Sequence, residues 1–549
     1  MHLIKRLEKV IREQWDEPAL TDYGSDVTFR YRDVAYRICY LHLLFESLDI
    51  KPGDKIAVCD RNSCNWAISM LAVLTYRAVA VPLLPDYSKE QLRMLCEHCD
   101  AKFMIAHHRL ANLWPEGKCP MYMIDMEDLL AMTPTTLTDE VEDKAYALFA
   151  KRYPGGFTKE HVHYEAENPD DLMILSYTSG STGNPKGVML PWRSLQSNLQ
   201  FAADALPCEK GLRAFLILPM AHMFGFAFDF LYCITCGAHL FILTKIPAPK
   251  VILEAFATIR PDYFLCVPLV MEKIIKSKVM PVLNKPLVKV LFKIPGIHEL
   301  ICRKIRRQLT NSLGGNFYEV IMGGAALSKE VEKILRMVGF RFTVGYGMTE
   351  CAPLICFAPH YEFVPGSCGR ILPLMEGRIT SPNSAGIGEI EVRGENVMTG
   401  YYKNEEATRD VFTEDGWLRT GDLGILDENG NLFIKGRSKT MLLGPSGQNI
   451  YPEEIEDVLN NMPFVLESLV MQNTDNALVA LVCPDMEAVD KAHLSNAQIR
   501  EQMEVNRKQV NTQVAAYEQI TQIRIFPHEF EKTPKKSIKR FLYNASMGE

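Results

Sequence analysis

The sequence has no surplus of positive charge. Across 549 residues, 60 Lys and Arg face 67 Asp and Glu, for a net charge of -7. That balance excludes a general nucleic-acid binder, which needs a basic footprint. No uninterrupted apolar run is long enough to cross a bilayer as a helix. Residues 214–244 come nearest, with Asp229 as their one formal charge, but Pro219, His222, Asp229 and Gly237 interrupt them. They read as a buried strand, helix and strand. The opening MHLIKRLEKVIREQWDEPAL mixes charges with apolar residues at helical spacing and has no continuous leader-like apolar core. No internal repeat stands out, and the Walker ending Gly-Lys-Ser/Thr is missing. The 15 cysteines are scattered. Two CxxC pairs occur, Cys96/Cys99 and Cys233/Cys236, far apart and outside any loop-rich context, so they read as reduced, partly buried thiols of a cytosolic chain.

The length exceeds what one hydrophobic core organises, so several packed lobes follow. Apolar runs such as KIAVCD, DLMILSYT, RAFLILPM, DYFLCVP, NFYEVIMGG and FRFTVGYG read as buried strands. Helical patterns such as CNWAISMLAVLTYRA and SKEVEKILRMVGF lie between several of them, which is the alternation of an α/β fold with parallel sheet. Residues 131–170 are polar and read as a surface crossing. After residue 385, GIGEIEVRGENVMTGYYK and GNLFIKGR read as short antiparallel strands. From about residue 437 a smaller unit begins, with a helix at YPEEIEDVLNNM and strands at LESLVMQ and NALVALVCP. Residues 273–307 form one basic stretch, ten Lys/Arg against the single acid Glu299. It suits a solvated helix face, an acidic partner or peripheral contact with a membrane.

The segment YTSGSTGNPKGVML, residues 177–190, packs hydroxyls, glycines and one lysine between apolar runs. Gly180, Gly183 and Gly187 permit tight turns and close approach of backbone N–H groups to an anion. Thr178, Ser179, Ser181 and Thr182 can donate to phosphate oxygens, and Lys186 adds a mobile cation. Together they describe a polyphosphate cradle. GYGMTECAP supplies Tyr346 to stack on a base, Thr349 to hold a phosphate and Glu350 to hold Mg²⁺. RTGDLG puts Asp422 in a turn where its carboxylate can accept ribose hydroxyls, with Arg437 of GRSKT beside it.

With these motifs the chain resembles the adenylate-forming superfamily of acyl- and aryl-CoA synthetases, luciferases and peptide-synthetase adenylation domains, over about Leu20 to Tyr543. IMGGAALS and LPMAHMFG match its pattern, and DGWLRTGDLGILDENGNLFIKGRSKTMLLGPSGQNIYPEEIE is similar to the extended signature of fatty acyl-CoA synthetases. The resemblance implies a large N-terminal domain over 1–436, with mixed parallel sheets, helices and a small barrel-like part. It implies a small mobile α+β C-terminal domain over 437–549, with a hinge near Lys439. It implies two steps: attack of a carboxylate on the α-phosphate of MgATP, then displacement of AMP by the thiol of coenzyme A. On that pattern the 178–187 loop holds the β- and γ-phosphates, and Thr178 with Glu350 holds the metal. Gly324, Ala325 and Tyr346 line the adenine pocket, and Gly347 is a further nucleotide-binding residue. Thr349 touches the α-phosphate, and Asp422 with Arg437 holds the ribose. His222 and Phe224 lie near the acyl group, and Gly447 lies along the pantetheine arm.

One position departs from the family. KTPKKSIKR, from Lys532 to Arg540, aligns Ser537 with the lysine that usually reaches the acyl carboxylate and α-phosphate. Lys535 and Lys536 flank it, and the expectation is that Lys536 substitutes. The leading reading is an ATP-dependent ligase for a medium- or long-chain fatty acid, cytoplasmic or peripheral at a membrane. The alternatives are transfer to an acyl carrier protein, or a non-catalytic binder of nucleotide or acyl-adenylate.

Overall fold

A computed structural model describes residues 2–548 except 26, 115–118, 131, 133–138, 180–184, 207–208, 246–247, 444–448 and 534–537. The expectations for Gly180, Ser181, Thr182, Gly183, Gly447, Lys535, Lys536 and Ser537 therefore lie outside the described residues, as does the side chain of Ser179.

The chain forms the expected α/β architecture. A seven-stranded sheet has Val79–Leu83, Lys55–Cys59, Phe103–Ala106 and Tyr122–Asp125 running parallel, with Leu172–Ser179 parallel to Val79–Leu83. Their Val, Ile and Ala side chains are buried on both faces, which is why these strands read as continuous apolar runs. Pro185–Pro191 and the two-residue strand Gly400–Tyr401 add antiparallel at one edge. A second sheet joins Thr28–Arg30, Pro18–Asp22, His239–Ile242 and Arg213–Leu216. A third, fully parallel, is built from Leu265–Cys266, Val320–Met322 and Phe342–Val344. Antiparallel strands Met375–Thr380, Gly388–Gly394, Leu418–Leu426 and Leu432–Arg437 form a separate four-stranded sheet.

The smaller C-terminal unit packs the helices Pro452–Asn460 and Asn496–Asn511 on a sheet of Val465–Gln472, Leu478–Pro484 and Ile520–Ile525, around its own apolar core. It meets the larger part through specific polar contacts. Asn461 Nδ2 donates to Ser328 Oγ at 2.9 Å, and Lys276 Nζ donates to the Asn460 carbonyl at 3.3 Å.

Two local expectations change. The helix Asp139–Arg152 occupies part of the stretch read as a surface crossing. It packs on the helix Tyr31–Ser47 through buried Ala145, and its many charges disguised the short apolar stripe. Residues 214–244 do form strand, helix and strand, but the helix begins as a π-helix over Gly225–Tyr232. Among the described residues no helix is long and apolar enough to cross a membrane. The described cysteines are free thiols, and burial raises the pKa values of Cys96, Cys99 and Cys266.

Asp229 sits fully buried in the π-helical segment. Loss of solvent pushes its carboxyl well above the ordinary range, and the backbone amides of Leu218 and Leu265 offset this only in part. Folding therefore takes up a proton, so this residue costs stability as pH rises above the unfolded carboxyl value of about 4. Asp229→Asn removes that dependence. Thermal unfolding at increasing pH should show the variant gaining stability relative to the parent, and parallel profiles would contradict the assignment.

Candidate active site

Strands Val320–Met322 and Phe342–Val344 end side by side, and the chain beyond their carboxyl ends forms one rim of a cleft, where open α/β sheets generally place ligands. After the first strand, Gly323 packs directly under Phe224, and a Cβ there would lie 3.1 Å from the ring Cζ. Gly324 follows in the left-handed region at φ 83°, and it and Ala325 are exposed at the rim. After the second strand the chain turns through Tyr346 and Gly347 into the short 3-10 turn Thr349–Cys351. Gly347 is required by close approach, because a Cβ would collide with the Pro353 carbonyl.

These rims enclose a single cavity. His222, Phe224, Gly324, Tyr346, Gly347 and Thr349 all line it, so residues scattered over more than a hundred positions of sequence converge. The rest of the wall is mainly apolar, contributed by Phe201, Phe228, Leu265, Ile321, Leu354 and Phe357, with Tyr263 adding a phenolic ring. No lysine or arginine lines it among the described residues. Phe228 comes from the π-helix, whose wider turn places it beside Phe224, with ring centroids 6.3 Å apart.

Asp422 does not lie in a turn, as its surroundings suggested. It sits within Leu418–Leu426, directly across from Arg437, beside an irregularity in register and next to Gly421 at φ 73°. The glycine and a chain bend gave the segment the appearance of a turn. The Tyr346 hydroxyl donates to Asp422 Oδ2 at 2.6 Å, and Arg437 Nε lies 3.1 Å from Oδ1. Burial raises the Asp422 carboxyl, while Arg437 and the Tyr346 hydroxyl lower it. Each carboxylate oxygen keeps a further lone pair for a ligand hydroxyl.

Lys186 is likewise not on a loop. It pairs with Thr178 in the hairpin of Leu172–Ser179 and Pro185–Pro191. Gly187 owes its identity to space, not to a positive φ, since a Cβ would lie 3.1 Å from Leu175 Cδ1 and 3.3 Å from Tyr177 Cε1. Lys186 Nζ lies over the Tyr401 ring, 4.8 Å from its centroid. The Tyr401 hydroxyl in turn donates to Glu350 Oε1 at 3.0 Å. Sequence reading passed over Tyr401. Its GYY motif looked like ordinary strand, and only the pairing of Gly400–Tyr401 with Pro185–Pro191 brings it between the lysine and the carboxylate. Glu350 is buried and presents hard carboxylate oxygen from a turn that packs near the strand Pro185–Pro191, which carries Lys186, a donor chemistry that fits Mg²⁺.

Lys439 is exposed in the turn following Leu432–Arg437. On the C-terminal unit, Lys532 and Ile538 form a β-bridge that brackets residues 534–537. Arg540 beyond it pairs with Glu456 and lies 3.7 Å from Glu453, which accepts from Thr440 Oγ1 at 2.7 Å. Glu453 also packs against Gly436, so this tail reaches the neighbourhood of Arg437.

A family model described as AMP-binding enzyme matches residues 7–402, and one described as AMP-binding enzyme C-terminal domain matches residues 440–546. The long-chain-fatty-acid–CoA ligase FadD15 of Mycobacterium bovis is 28% identical, covering 94% of this chain and 90% of its own. The chloroplastic long-chain-fatty-acid–[acyl-carrier-protein] ligase AEE15 of Arabidopsis thaliana is 25% identical, covering 88% of this chain and 77% of its own. The crystal structure of ATP-bound MatB from Rhodopseudomonas palustris superposes with a TM-score of 0.75 at 23% identity, covering 99% of this chain and 98% of that one.

Tyr401→Phe keeps the ring under Lys186 and removes the hydroxyl from Glu350. A hydrogen bond to a charged group contributes about 1.5–3 kcal/mol, so calorimetry should find Mg²⁺–ATP bound roughly 10-fold or more weakly. Unchanged affinity would show that Tyr401 does not hold Glu350 for the metal.

Proposed function

This chain belongs to the AMP-binding enzyme family and is an AMP-forming acid–thiol ligase that works with ATP, Mg²⁺ and coenzyme A; from that premise we propose that its acid is a medium- or long-chain fatty acid. The observation that carries the proposal is the cavity wall. Phe224, Phe228, Leu265 and Ile321 present hydrocarbon, and no cation among the described residues awaits a second carboxylate. A dicarboxylic acid would bury a charge without a partner there, which is costly. An aliphatic chain gains by leaving water at about 0.8 kcal/mol per buried CH₂. The names of FadD15 and AEE15 point to the same substrate class.

In the first step a carboxylate oxygen of the acid bonds to the α-phosphorus of ATP and pyrophosphate leaves. In the second, the thiol sulfur bonds to the acyl carbon and AMP leaves. Both reactants of the first step are anions, so this chain's task is to hold them together and offset their repulsion. The strands Leu172–Ser179 and Pro185–Pro191, which carry Thr178 and Lys186, flank the segment assigned to the β- and γ-phosphates. Gly324, Ala325, Tyr346 and Gly347 form a flat, side-chain-poor edge for adenine. Asp422 accepts from the ribose hydroxyls while Tyr346 and Arg437 fix its orientation. Thr349 faces the cavity where the α-phosphate would lie. Glu350 and Thr178 would hold Mg²⁺, which would supply charge neutralisation on the phosphates. His222 and Phe224 flank the acyl carboxylate.

For the cation missing at Ser537, the reading assigns Lys536. On either side of it, Lys532 pairs with Glu467 and Arg540 with Glu456, both on the C-terminal unit. We assign residues 1–436 and 437–549 as the units that reorient between steps, with Lys439 as hinge and Gly447 along the pantetheine arm.

The test is pyrophosphate exchange with MgATP and a panel of acids: saturated fatty acids of increasing length, a dicarboxylate and an aromatic acid. Exchange with the fatty acids alone is the expected result, and preference for either other class would refute the proposal. Coenzyme A and an acyl carrier protein are then offered to the loaded enzyme. Product on the carrier alone would reassign the acceptor. Lys536→Ala should slow exchange by about 10²–10³, the usual loss on deleting one transition-state electrostatic contact. Lys535→Ala should leave it near normal, and equal rates for the two variants would remove Lys536 from the site.

A further inference from the structure

The helix Pro268–Ile274 leads from the cavity-lining strand Leu265–Cys266 into a basic helical hairpin built from Met280–Leu283, Pro286–Leu291 and Ile297–Ser312. Its outer part buries little. Leu287 is 70% exposed, Val290 61%, Ile294 42% and Leu300 61%. Leu269, at the start of the lead-in helix, is 55% exposed. Single aliphatic side chains are exposed elsewhere too, Leu443 at 58% and Val27 at 53%, but here four fall between Leu287 and Leu300, whereas most large aliphatics fill the cores.

The exposed apolar residues are ordered. Helical hydrogen bonding continues past Leu291, with Phe292 N donating to the Val288 carbonyl at 2.8 Å and Ile294 N to the Leu291 carbonyl at 3.1 Å. Leu287, Val290 and Ile294 therefore follow one another along one helical face. Lys285, Lys289 and Lys293 recur every four residues along its flank, all exposed. Arg303, Lys304 and Arg307 add exposed cations from the returning helix. The one acid in the stretch is Glu299. A solvated helix face has no use for four exposed aliphatic side chains, and an acidic protein partner would use the cations but leave the aliphatics uncovered. Hydrocarbon at the tip with cations at its border is the pattern that lets side chains enter the acyl region while lysines stay among anionic headgroups.

We propose that residues 280–307 dock the protein on an anionic lipid surface, with Leu287, Val290, Ile294 and Leu300 entering the bilayer interface and Lys285, Lys289, Lys293 and the arginines contacting lipid phosphates. The dock lies at the end of the segment that begins in the cavity wall at Leu265 and passes through the exposed Leu269. The inference stands apart from the substrate assignment, since lipid binding needs no turnover.

Sedimentation of the full-length protein with vesicles tests it. The probes are vesicles of phosphatidylglycerol mixed with phosphatidylcholine, and vesicles of phosphatidylcholine alone. Binding to the anionic vesicles is expected, with loss at high salt and little binding to the neutral ones. The triple variant Lys285→Gln, Lys289→Gln, Lys293→Gln should bind about 10-fold or more weakly, because each cation near an anionic surface contributes. The pair Leu287→Ser, Val290→Ser should also weaken binding while keeping all the charges. Both variants alter exposed side chains, and unchanged thermal unfolding would establish that they fold. Absence of binding by the parent, or equal binding by parent and variants, would overturn the proposal. So would capture of an acyl carrier protein by this hairpin in competition with the vesicles, which would make the surface a protein interface. Pyrophosphate exchange on the same samples separates a failed dock from a failed ligase.

Discussion

The hydrogen bond from the Tyr346 hydroxyl to Asp422 joins two independent pieces of architecture. Tyr346 stands beyond the end of a parallel strand, and Asp422 stands within an antiparallel sheet that begins thirty residues later. Neither position has a ligand geometry alone. Tied at 2.6 Å, they make one side of the cleft, and Arg437 across the strand pair completes it. The bond also explains why Asp422 tolerates burial. Its carboxyl is pushed up by loss of water and drawn back by Arg437 and the tyrosine hydroxyl, leaving an acceptor that is held in place yet still able to receive hydroxyls.

A second linkage has the same logic on the opposite side. Lys186 rests on the ring of Tyr401, and the Tyr401 hydroxyl reaches Glu350. The tyrosine stands between a cation and a buried carboxylate and contacts both. Burial and the neighbouring Glu350 raise its own pKa, so the hydroxyl keeps its proton as donor. The arrangement orients the two charged groups before any ligand arrives, and if they form the proposed nucleotide site it reduces the reorganisation that binding would demand. The cavity is lined by Tyr346 of the first linkage and by Thr349, the neighbour of Glu350 in the second.

The hairpin at 280–307 obeys a different constraint. Everything around the cleft is organised by burial, whereas this element keeps its aliphatic side chains outside. Cations that accompany such a surface make it soluble in water and attractive to anionic lipid at once. The chain runs on from Leu265 in the cavity wall through Leu269 into this element, so the cavity and the surface patch share one continuous segment.

The motifs identified the chemistry because phosphate cradling, base stacking and ribose binding each need particular side chains at short range. Tyr346 and Thr349, singled out on that ground, do line one cavity with His222 and Phe224, and Asp422 does pair with Tyr346 and Arg437, while the roles of these residues and of Thr178, Lys186 and Glu350 toward a nucleotide belong to the proposal. Strand and helix periods likewise announced the α/β plan and the small C-terminal unit, since burial on both faces leaves continuous apolar runs. What the linear order could not supply was distance. Only packing set Tyr401 between Lys186 and Glu350, placed Asp422 in a strand and not a turn, and showed that Gly187 is demanded by Leu175 and Tyr177. Only packing separated the aliphatic residues that fill cores from Leu287 and Val290, which stay in solvent. Residue type sets what a side chain can do, but which groups meet, and which faces remain uncovered, follows from how distant segments close on one another.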